Sequence, residues 1–565
     1  MNLIKNTTGN PIIQLSKYVI TKVLYLISFD ILTSKFIIIM DTSDNIKSSS
    51  ITSGENVSYW IDSTSIISYN KPDQDIQTEV LIIGGGIAGL TTAYKLLQAG
   101  KKVVLAEDGF IGSGETGRTT AHLSSALDDR YYFLEDTFGE EDAKLAAESH
   151  SAAIDEIENI VTSLQIDCSF QRVNGYLFLD PTDKEENLDK EFTATQKAGL
   201  ATSILQGTPA VRNGENQRCL VFHGQAQFHV LHYLKGLADA VTALGGIIYT
   251  EAHAEDITKK GAKVNGYNFE AQHIVVATNT PVNDVLTMHT KQHAYRTYVI
   301  AGKIPKGELP YSLWWDTGDQ ESKWVSQPYH YVRLENYDEK YDLLISGGED
   351  HKTGQADEEN ISQAARYDRL EAWTRNYFPM LEDDLTYRWS GQVMEPVDSL
   401  GFMGKNPGDD NIYIITGDSG NGMTHTTIGA MIICDSIMGI KNKWEDLYSP
   451  SRITLKTTGD FIKEAGNMAS QYLDWISESD LKNTADLPAG EGGILSSGLK
   501  RIAVYRDFDN TLKAFSAVCP HLGCIVQWNG DEKSFDCPCH GSRFDTEGTV
   551  INGPAQNDLP KIHVK

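Results

Sequence analysis

The sequence predicts a protein of two modules, a large α/β domain built on a parallel sheet and a smaller, separate domain near the C-terminal end. A short apolar run that stops at three consecutive glycines predicts a buried strand and a tight turn close to residue 80. Four cysteines and two histidines lie within residues 519–540 and predict a chemical site. A chain of 565 residues is long enough for each module to bury its own core.

The charge balance excludes one class of partner. The chain has 49 Lys and Arg against 77 Asp and Glu, a formal net charge of -28, which repels phosphate backbones, so no nucleic-acid partner is expected. Hydrophobic residues make up 40% and charged residues 22%, a composition typical of globular proteins. Three isolated cysteines, Cys168, Cys219 and Cys434, predict buried thiols in a reducing compartment and therefore a cytoplasmic location.

Residues 1–53 are predicted to form an N-terminal extension outside the folded domains. Their apolar segment 12–40 is interrupted by charges at Lys17, Lys22, Asp30 and Lys35, so no membrane span is expected. The polar, serine-rich stretch that follows is typical of the tail that precedes a domain. We expect this extension to be disordered, or to lie upstream of a true start at Met40.

The glycine turn lies in a strand, turn, helix, strand unit. The apolar run 80–83 precedes the turn, apolar residues then recur at three- and four-residue steps as far as Gly100, and a second apolar run covers 103–106. Gly84, Gly86 and Gly89 match G-x-G-x-x-G, in which a tight turn lets the backbone approach a pyrophosphate. Glu107 ends the second strand, where a carboxylate can accept hydrogen bonds from a ribose. This unit predicts a dinucleotide site and leaves NAD and FAD open.

Four separated blocks carry a family resemblance. They are residues 112–122 (GSGETGRTTAH), 172–178 (RVNGYLF), 273–279 (HIVVATN) and the pair 388–391 (RWSG) with 414–425 (IITGDSGNGMTH). Through them, the segment from about 79 to 440 resembles the D-amino-acid-oxidase-like family of FAD-dependent oxidoreductases. The resemblance implies a Rossmann-like α/β FAD-binding domain with an interleaved α+β substrate domain at about 150–225 and 295–385.

The resemblance also implies which loops contact FAD. Besides the three glycines and Glu107, the expected cofactor-binding residues are Thr116, Arg118, Thr119, Gly417, Asp418, Gly420, Gly422 and Met423. In some relatives a histidine of the first loop carries the flavin covalently. Arg118 stands at that position here, so FAD is expected to be bound without a covalent link.

The segment 519–542 contains the strongest pattern in the chain. It combines C-x-H and C-x-x-H, separated by the fifteen residues 522–536. Two thiolates and two imidazoles suit a [2Fe–2S] cluster in which histidines replace two cysteines on one iron. The segment resembles the Rieske fingerprint, which implies a small all-β domain whose cluster ligands are Cys519, His521, Cys537 and His540. Zinc is the alternative for such a ligand set, but the spacing and the Gly-Pro-Ala loop at 553–555 favour the cluster.

Two further cysteines lie in the cluster loops. The resemblance to respiratory Rieske proteins implies a disulfide between Cys524 and Cys539. It also implies that the Ser542 hydroxyl bonds a cluster sulfur and raises the reduction potential. The chain departs from the respiratory pattern at Phe544, which replaces a tyrosine, and a potential below that of the respiratory proteins is therefore expected.

These patterns divide the chain into predicted domains. After the extension, the oxidoreductase domain is expected at 54–440, a linker of mixed polar residues at 441–485, and the Rieske domain at 486–565.

The expected function is oxidation of a small amine, amino acid or hydroxy compound by hydride transfer to FAD. Single electrons then pass through the cluster to an external partner such as a ferredoxin, a cytochrome or a quinone. Two alternatives stay open, namely a flavin monooxygenase or reductase in which electrons enter through the cluster, and a non-enzymatic redox sensor. No catalytic constellation stands out, and the candidates for substrate contact are Tyr329, His330, Arg333 and Arg296.

Overall fold

A computed structural model describes residues 54–283, 288–321, 329–355, 361–454, 481, 483–497 and 500–562. The predicted N-terminal extension and the proposed start at Met40 lie outside these residues. Among the helices of the described ranges, none has the length and apolar character needed to cross a membrane. The described α-helices are Tyr59–Asp62, Ile87–Gln98, Tyr131–Phe138, Glu140–Leu164, Glu185–Lys197, Val230–Ala243, Gln363–Tyr377 and Gly422–Ile437.

The α/β domain is built on a sheet with a parallel centre. Strand Ile76–Ile83 lies between the parallel strands Tyr267–Val276 and Val103–Ala106. Alternate side chains of the central strand enter two different hydrophobic cores, which explains why consecutive residues of this strand are apolar. The other strands of the sheet are Ile247–Tyr249, Ala254–Thr258, Gly261–Val264, Phe402–Lys405 and Ile412–Thr416.

A second, mostly antiparallel sheet has nine strands within the described residues. It begins with the long neighbours Leu385–Pro396, Gln292–Pro305 and Tyr341–Lys352. Because these strands come from distant parts of the chain, the second sheet is interleaved with the first. The remaining strands are His122–Leu123, Gln171–Phe178, Thr202–Gln206, Arg218–Gln227, Leu313–Asp316 and His330–Asn336.

The C-terminal domain consists of two small antiparallel sheets. Buried phenylalanines at 515, 535 and 544 pack with the cluster-loop cysteines into one core. The fold class expected from the sequence, an α/β domain with an interleaved second sheet and a small all-β domain, is confirmed. The strands of this domain are Glu491–Ser497, Lys500–Arg506, Leu512–Ser516, Gln527–Asn529, Ser534–Asp536, Arg543–Phe544 and Val550–Asn552.

Residues 441–454 fold back onto the α/β domain. The side chains of Trp444, Leu447 and Tyr448 join its main hydrophobic core. Arg452 pairs with Asp398 at 2.6 Å, with both side chains nearly buried. The segment expected to be a linker therefore starts with a stretch that is packed against the domain it follows.

Candidate functional site

Two helices begin at one cleft, which is lined by residues of both large sheets. Helix Ile87–Gln98 starts directly after Gly86, and helix Gly422–Ile437 starts after the last glycine-rich loop. Gly86, Ile87, Gly422 and Met423 all line the cleft. Because free N–H groups and the helix dipole make each helix N-terminus a favourable place for anions, the cleft suits a ligand that carries phosphates.

A second cavity continues the cleft and shares Gly86, Glu115 and Thr116 with it. One wall contains Gly84 and Glu107, the ends of the predicted dinucleotide unit. The opposite wall belongs to the C-terminal domain and consists of Val550, Ile551, Asn552, Gly553, Ala555 and Gln556. The Asn552 side-chain amide donates to Glu115 Oε1 at 3.0 Å, so the small domain closes this end of the cleft.

Most of the residues expected to contact FAD line these two cavities. Thr119, Asp418 and Gly420 line the first. Gly89 and Gly417 are not among the lining residues. At both positions the absence of a side chain permits neighbouring atoms to approach the backbone closely. A Cβ atom on Gly89 would lie 1.9 Å from the Gly84 carbonyl oxygen, and one on Gly417 would lie 2.9 Å from a ring carbon of Pro396.

The Glu107 carboxylate holds the glycine turn together. It accepts hydrogen bonds from the backbone N–H of Gly85, from the N–H of Gly109 at 2.9 Å and from the Ser113 hydroxyl at 3.2 Å. Burial raises the pKa of Glu107, while these hydrogen bonds act in the opposite direction. Glu107 therefore lines the second cavity and also holds the backbone of the glycine turn beside that cavity.

Arg118 lines the first cavity, but its guanidinium is directed to the C-terminal domain. Nη1 pairs with Glu532 at 2.9 Å and also donates to the Ser390 carbonyl oxygen at 2.7 Å. Nη2 donates to the carbonyl oxygen of Gly54 at 2.7 Å. Both charged side chains of the ion pair are almost completely buried, so Arg118 joins the two domains at the edge of the cleft.

Three of the four candidates for substrate contact lie outside the lining of the described cavities. His330 is buried between Asp316, at 2.8 Å, and Glu349, at 3.3 Å. Arg333 pairs with Glu335 and donates to backbone carbonyl oxygens. Arg296 donates to the Ser390 hydroxyl at 2.6 Å and lies 3.7 Å from Glu532. Each of them has a structural partner at its present position.

Tyr329 is the candidate that lines the cleft. Its hydroxyl donates to Asp128 Oδ2 at 2.5 Å, and Asp128 and Asp350 line the same cleft. Sequence reasoning missed both carboxylates, as well as His122 and Gln392, which also line it. The feature of the local sequence that could have indicated them is the pair of acidic residues at 128 and 129, which follows the block 112–122. Burial lowers the pKa of His122 to about 3, so its imidazole is neutral at physiological pH.

The cluster loops bring the expected ligands together. Cys519 and Cys537 are buried, free thiols whose side chains hydrogen bond with each other, and the rings of His521 and His540 lie 4.9 Å apart. His540 is buried, and neither ring nitrogen has a hydrogen-bond partner among the described residues. Two buried thiols beside an imidazole with unsatisfied nitrogens fit a metal centre.

The disulfide implied by the resemblance is confirmed, since Cys524 and Cys539 are bonded. Their sulfurs and that of Cys537 lie within 4.8 Å of one another, as three possible metal ligands. The disulfide occupies two of these three sulfurs, which leaves Cys537 as the member of the group that can ligate.

The histidine edge of the cluster loops faces the α/β domain. The His289 ring of that domain lies 4.7 Å from the His521 ring and 5.5 Å from the His540 ring. The Gln392 side-chain amide, which lines the cleft, donates to the Gly541 carbonyl oxygen at 3.1 Å. A Cβ atom on Gly541 would lie 2.5 Å from the Ala294 Cβ atom, so glycine permits this close approach.

The profile of the family described as FAD dependent oxidoreductase (DAO) matches residues 79–436. The chain belongs to this family. The profile of the Rieske [2Fe-2S] domain matches residues 478–563. Together they establish a DAO-family oxidoreductase with FAD and a [2Fe–2S] cluster as its cofactors.

One relative spans most of this chain, and two other proteins are similar to about two thirds of it. YhfW of Bacillus subtilis (strain 168), named as a Rieske 2Fe-2S iron-sulfur protein, is 32% identical over 512 residues, which cover 89% of this chain and 97% of that protein. Gamma-glutamylputrescine oxidoreductase of Escherichia coli (strain K12) is 24% identical over 67% of this DAO-family chain and 87% of its own. The crystal structure of glycine oxidase from Geobacillus kaustophilus has the same fold, with a TM-score of 0.54 and 16% identity over 67% of this chain and 99% of that one.

The described residues fit both cofactors of the DAO-family protein. For FAD, the cleft offers two helix N-termini, and Gly84, with a φ of +108°, approaches the strand beside it so closely that a Cβ atom would lie 2.4 Å from the Ala277 carbonyl oxygen. For the cluster, the loops offer buried thiols and imidazole nitrogens at Rieske spacing.

Proposed function

We propose that this DAO-family protein oxidises a C–H bond next to an amine or a hydroxyl group and passes the electrons, one at a time, through the Rieske cluster to an external acceptor. When bound, FAD accepts the hydride and the cluster carries single electrons. An amine or amino-acid substrate is supported by the names of the relatives, which include an oxidoreductase of gamma-glutamylputrescine and a glycine oxidase.

Residues of the cleft would hold the flavin. The backbone at Gly84 and Gly86 and the N-terminus of helix Ile87–Gln98 suit the pyrophosphate. At the other end, the glycine-rich loop 417–422 and the helix that starts at Gly422 suit the flavin ring, because partial positive charge there favours a reduced flavin anion. Thr116, Thr119, Asp418, Gly420 and Met423 complete the proposed contacts.

Cys519, His521, Cys537 and His540 are the proposed cluster ligands. Ser542 supports this assignment because its hydroxyl forms a hydrogen bond with the Cys519 side chain. The same hydroxyl accepts a hydrogen bond from the Ala555 N–H at 3.0 Å. The Cys524–Cys539 disulfide joins the two loops and holds the ligands in place.

The position of the Gln392 side chain, between the cleft and the cluster loops, is the observation that carries the proposal. Its side chain lines the flavin cleft and donates to the Gly541 carbonyl oxygen, next to His540. A continuous path of packed atoms therefore leads from the cleft to the cluster loops within one chain. Electrons can cross from one cofactor to the other without a diffusing carrier.

The test is anaerobic rapid mixing of the holoprotein with a panel of amines, amino acids and hydroxy compounds. We expect one class to bleach the flavin absorbance and then to reduce the cluster, and electron paramagnetic resonance monitors the reduction of the cluster. Gln392→Ala should slow this reduction of the cluster by the flavin at least about tenfold. Gln355→Ala is the matched control, because Gln355 bonds Pro538 across the same interface but does not line the cleft.

Other outcomes would contradict the proposal. If NAD(P)H reduces the flavin and no member of the panel does, electrons run in the opposite direction, as in a monooxygenase or reductase. If no donor turns over but the cluster responds to oxidants, the protein is a redox sensor. The class of the acceptor, whether ferredoxin, cytochrome or quinone, would follow from which of them reoxidises the cluster.

We also propose a cytoplasmic location. It is supported by the free, buried thiols of Cys168, Cys219 and Cys434, which suit a reducing compartment.

A further inference from the structure

A cavity of about 460 Å³ adjoins the flavin cleft. It shares Asp128, Tyr329, Asp350, Val393 and Gly420 with the cleft. A molecule that fills this cavity can therefore place one end beside the flavin. Its far wall comes from helices of the α/β domain, where Glu191 lies on helix Glu185–Lys197.

The lining of this cavity is strongly acidic. It contains six carboxyl groups, those of Asp128, Asp129, Asp183, Glu191, Asp350 and Glu395, and a single cationic side chain, Arg130. The Arg130 guanidinium donates to the backbone carbonyl oxygens of Leu127, at 3.4 Å, and of Asp316, at 3.3 Å. The excess of negative charge favours a cationic ligand.

Glu191 points independently to a missing hydrogen-bond donor. It is 1% exposed, and its Oε2 accepts from the Tyr132 N–H at 3.3 Å. Its Oε1 is buried and has no hydrogen-bond partner among the residues that the structure describes. At the cleft side of the cavity, Asp350 Oδ1 is also buried without a partner in the described ranges. A buried acceptor without a donor is costly, so each oxygen suits a ligand that supplies N–H groups.

The two arginines among the candidates for substrate contact are located elsewhere. Arg333 is paired with Glu335, and Arg296 lies between the domains near Glu532. Neither lines the acidic cavity. A substrate with a carboxylate at its distal end would thus meet negative charge, whereas an ammonium group would meet Glu191.

From this geometry we propose that the substrate is a di- or polyamine, whose distal ammonium group binds at Glu191 while the amine at the other end is oxidised beside the flavin. The inference rests on the proposed function. The C–H bond next to the reacting amine breaks, its hydrogen and two electrons pass to FAD as hydride, and the resulting iminium ion loses a proton. Water then hydrolyses the imine to an aldehyde and ammonia.

Burial supports the same conclusion at the cleft side of the cavity. It raises the pKa of Asp128 to about 7 and that of Asp350 to about 6, because desolvation of the charged carboxylate outweighs the stabilisation by neighbouring groups such as Arg130 and Arg366. A bound ammonium group adds positive charge beside these carboxyls and favours their ionised form.

The experiment measures binding to the holoprotein by calorimetry and flavin reduction anaerobically. The probes are α,ω-diaminoalkanes with chains of about two to eight carbons. The 1-aminoalkanes and the ω-amino acids of the same lengths are tested beside them. We expect at least one diamine to bind about tenfold or more tightly than its monoamine, and the ω-amino acid to bind more weakly than either. Glu191→Gln should reduce the ratio of diamine to monoamine affinity about tenfold, because only the diamine has an ammonium group at that end. Asp350→Asn, at the end where the shared amine binds, should weaken both ligands and leave their ratio unaltered.

Glu186→Gln is the control, because Glu186 is exposed on the same helix and does not line the cavity. Retained FAD absorbance in each variant verifies folding. Equal binding of diamine and monoamine, or an unchanged affinity ratio in Glu191→Gln, would overturn the inference. If an amino acid bleaches the flavin and the cluster follows, the proposed function stands and the diamine inference fails. If diamines bind through Glu191 but no compound of the panel reduces the flavin, the inference about binding stands and the proposed function fails.

Discussion

The His330 imidazole is held between two carboxylates and stacks on Trp373, with ring centroids 4.1 Å apart. Burial alone would lower its pKa, but Asp316 and Glu349 outweigh burial and raise the pKa from 6.5 to about 9. His330 is therefore a cation that stabilises the second sheet, rather than a base directed at the cleft.

This assignment predicts the pH dependence of stability. A histidine whose folded-state pKa is raised stabilises the fold fully below its unfolded pKa of about 6.5, and this contribution is lost as pH rises through about 9. We expect His330→Gln to lower the free energy of unfolding by about 3 kcal/mol at pH 6 and by much less at pH 10, measured by denaturant titration. The exposed His223→Gln should stay within about 0.5 kcal/mol of the parent protein at both values. A fall in kcat without this pH-dependent loss would make His330 a catalytic candidate again.

Local spacing explains which site residues the sequence could predict. Glycines that form a turn and ligands that share a loop lie within a few positions of one another, so their pattern survives in the chain. The acidic cavity has no such pattern, because Asp128, Glu191 and Glu395 come from distant segments that only the fold brings together. Similarly, nothing near Arg118 in sequence shows that Glu532 is its partner.

At the scale of elements, the turn between the central strand and helix Ile87–Gln98 depends on Gly84. Its φ is +108°, and the strand beside it leaves no room for a Cβ atom. The other end of the same helix offers a matched position, since Gly100 has a φ of +82° and no atom within 4 Å of the point that a Cβ atom would occupy. The two glycines have similar backbone strain but different surroundings.

We therefore expect Gly84→Ala to be isolated with much less than one FAD per chain, because the strand and the turn must separate. Gly100→Ala should retain FAD and lose only about 1–2 kcal/mol of stability through its left-handed backbone. The ratio of flavin absorbance to protein, together with denaturant titration, measures both effects. Full FAD content in Gly84→Ala would show that the turn tolerates a shift of the backbone.

At the scale of the whole molecule, one carboxylate joins the two domains. Glu532 pairs with Arg118, accepts from the Ser390 hydroxyl and lies 3.7 Å from Arg296. Burial would raise its pKa, but Arg118, Arg296 and Arg543 together hold it below its usual value. Its stabilising contribution is therefore present above the unfolded pKa and lost as pH falls through the lower, folded pKa.

Because the C-terminal domain closes the second cavity, loosening this contact should accelerate release of FAD. We expect Glu532→Ala to leave buried guanidinium groups uncompensated, at a cost of about 3–5 kcal/mol. The rate of FAD release, followed by its fluorescence after dilution, should rise accordingly. Glu547→Gln, which removes a half-exposed partner of Lys513, is the control and should leave the rate unaltered. An unaltered rate in Glu532→Ala would mean that the small domain does not retain the cofactor.

The position of residues 550–556 across the cavity that ends at Gly84 and Glu107 has a consequence for biosynthesis. Because the ribosome makes the α/β domain before this segment, we expect the cavity to be open to solvent until residues 550–556 have been made and folded. We expect FAD to bind during that interval and the C-terminal domain to cover the cavity afterwards. In cells short of riboflavin during synthesis, protein without FAD would then accumulate with its cavity covered. Riboflavin supplied later should restore the FAD content of this protein only slowly.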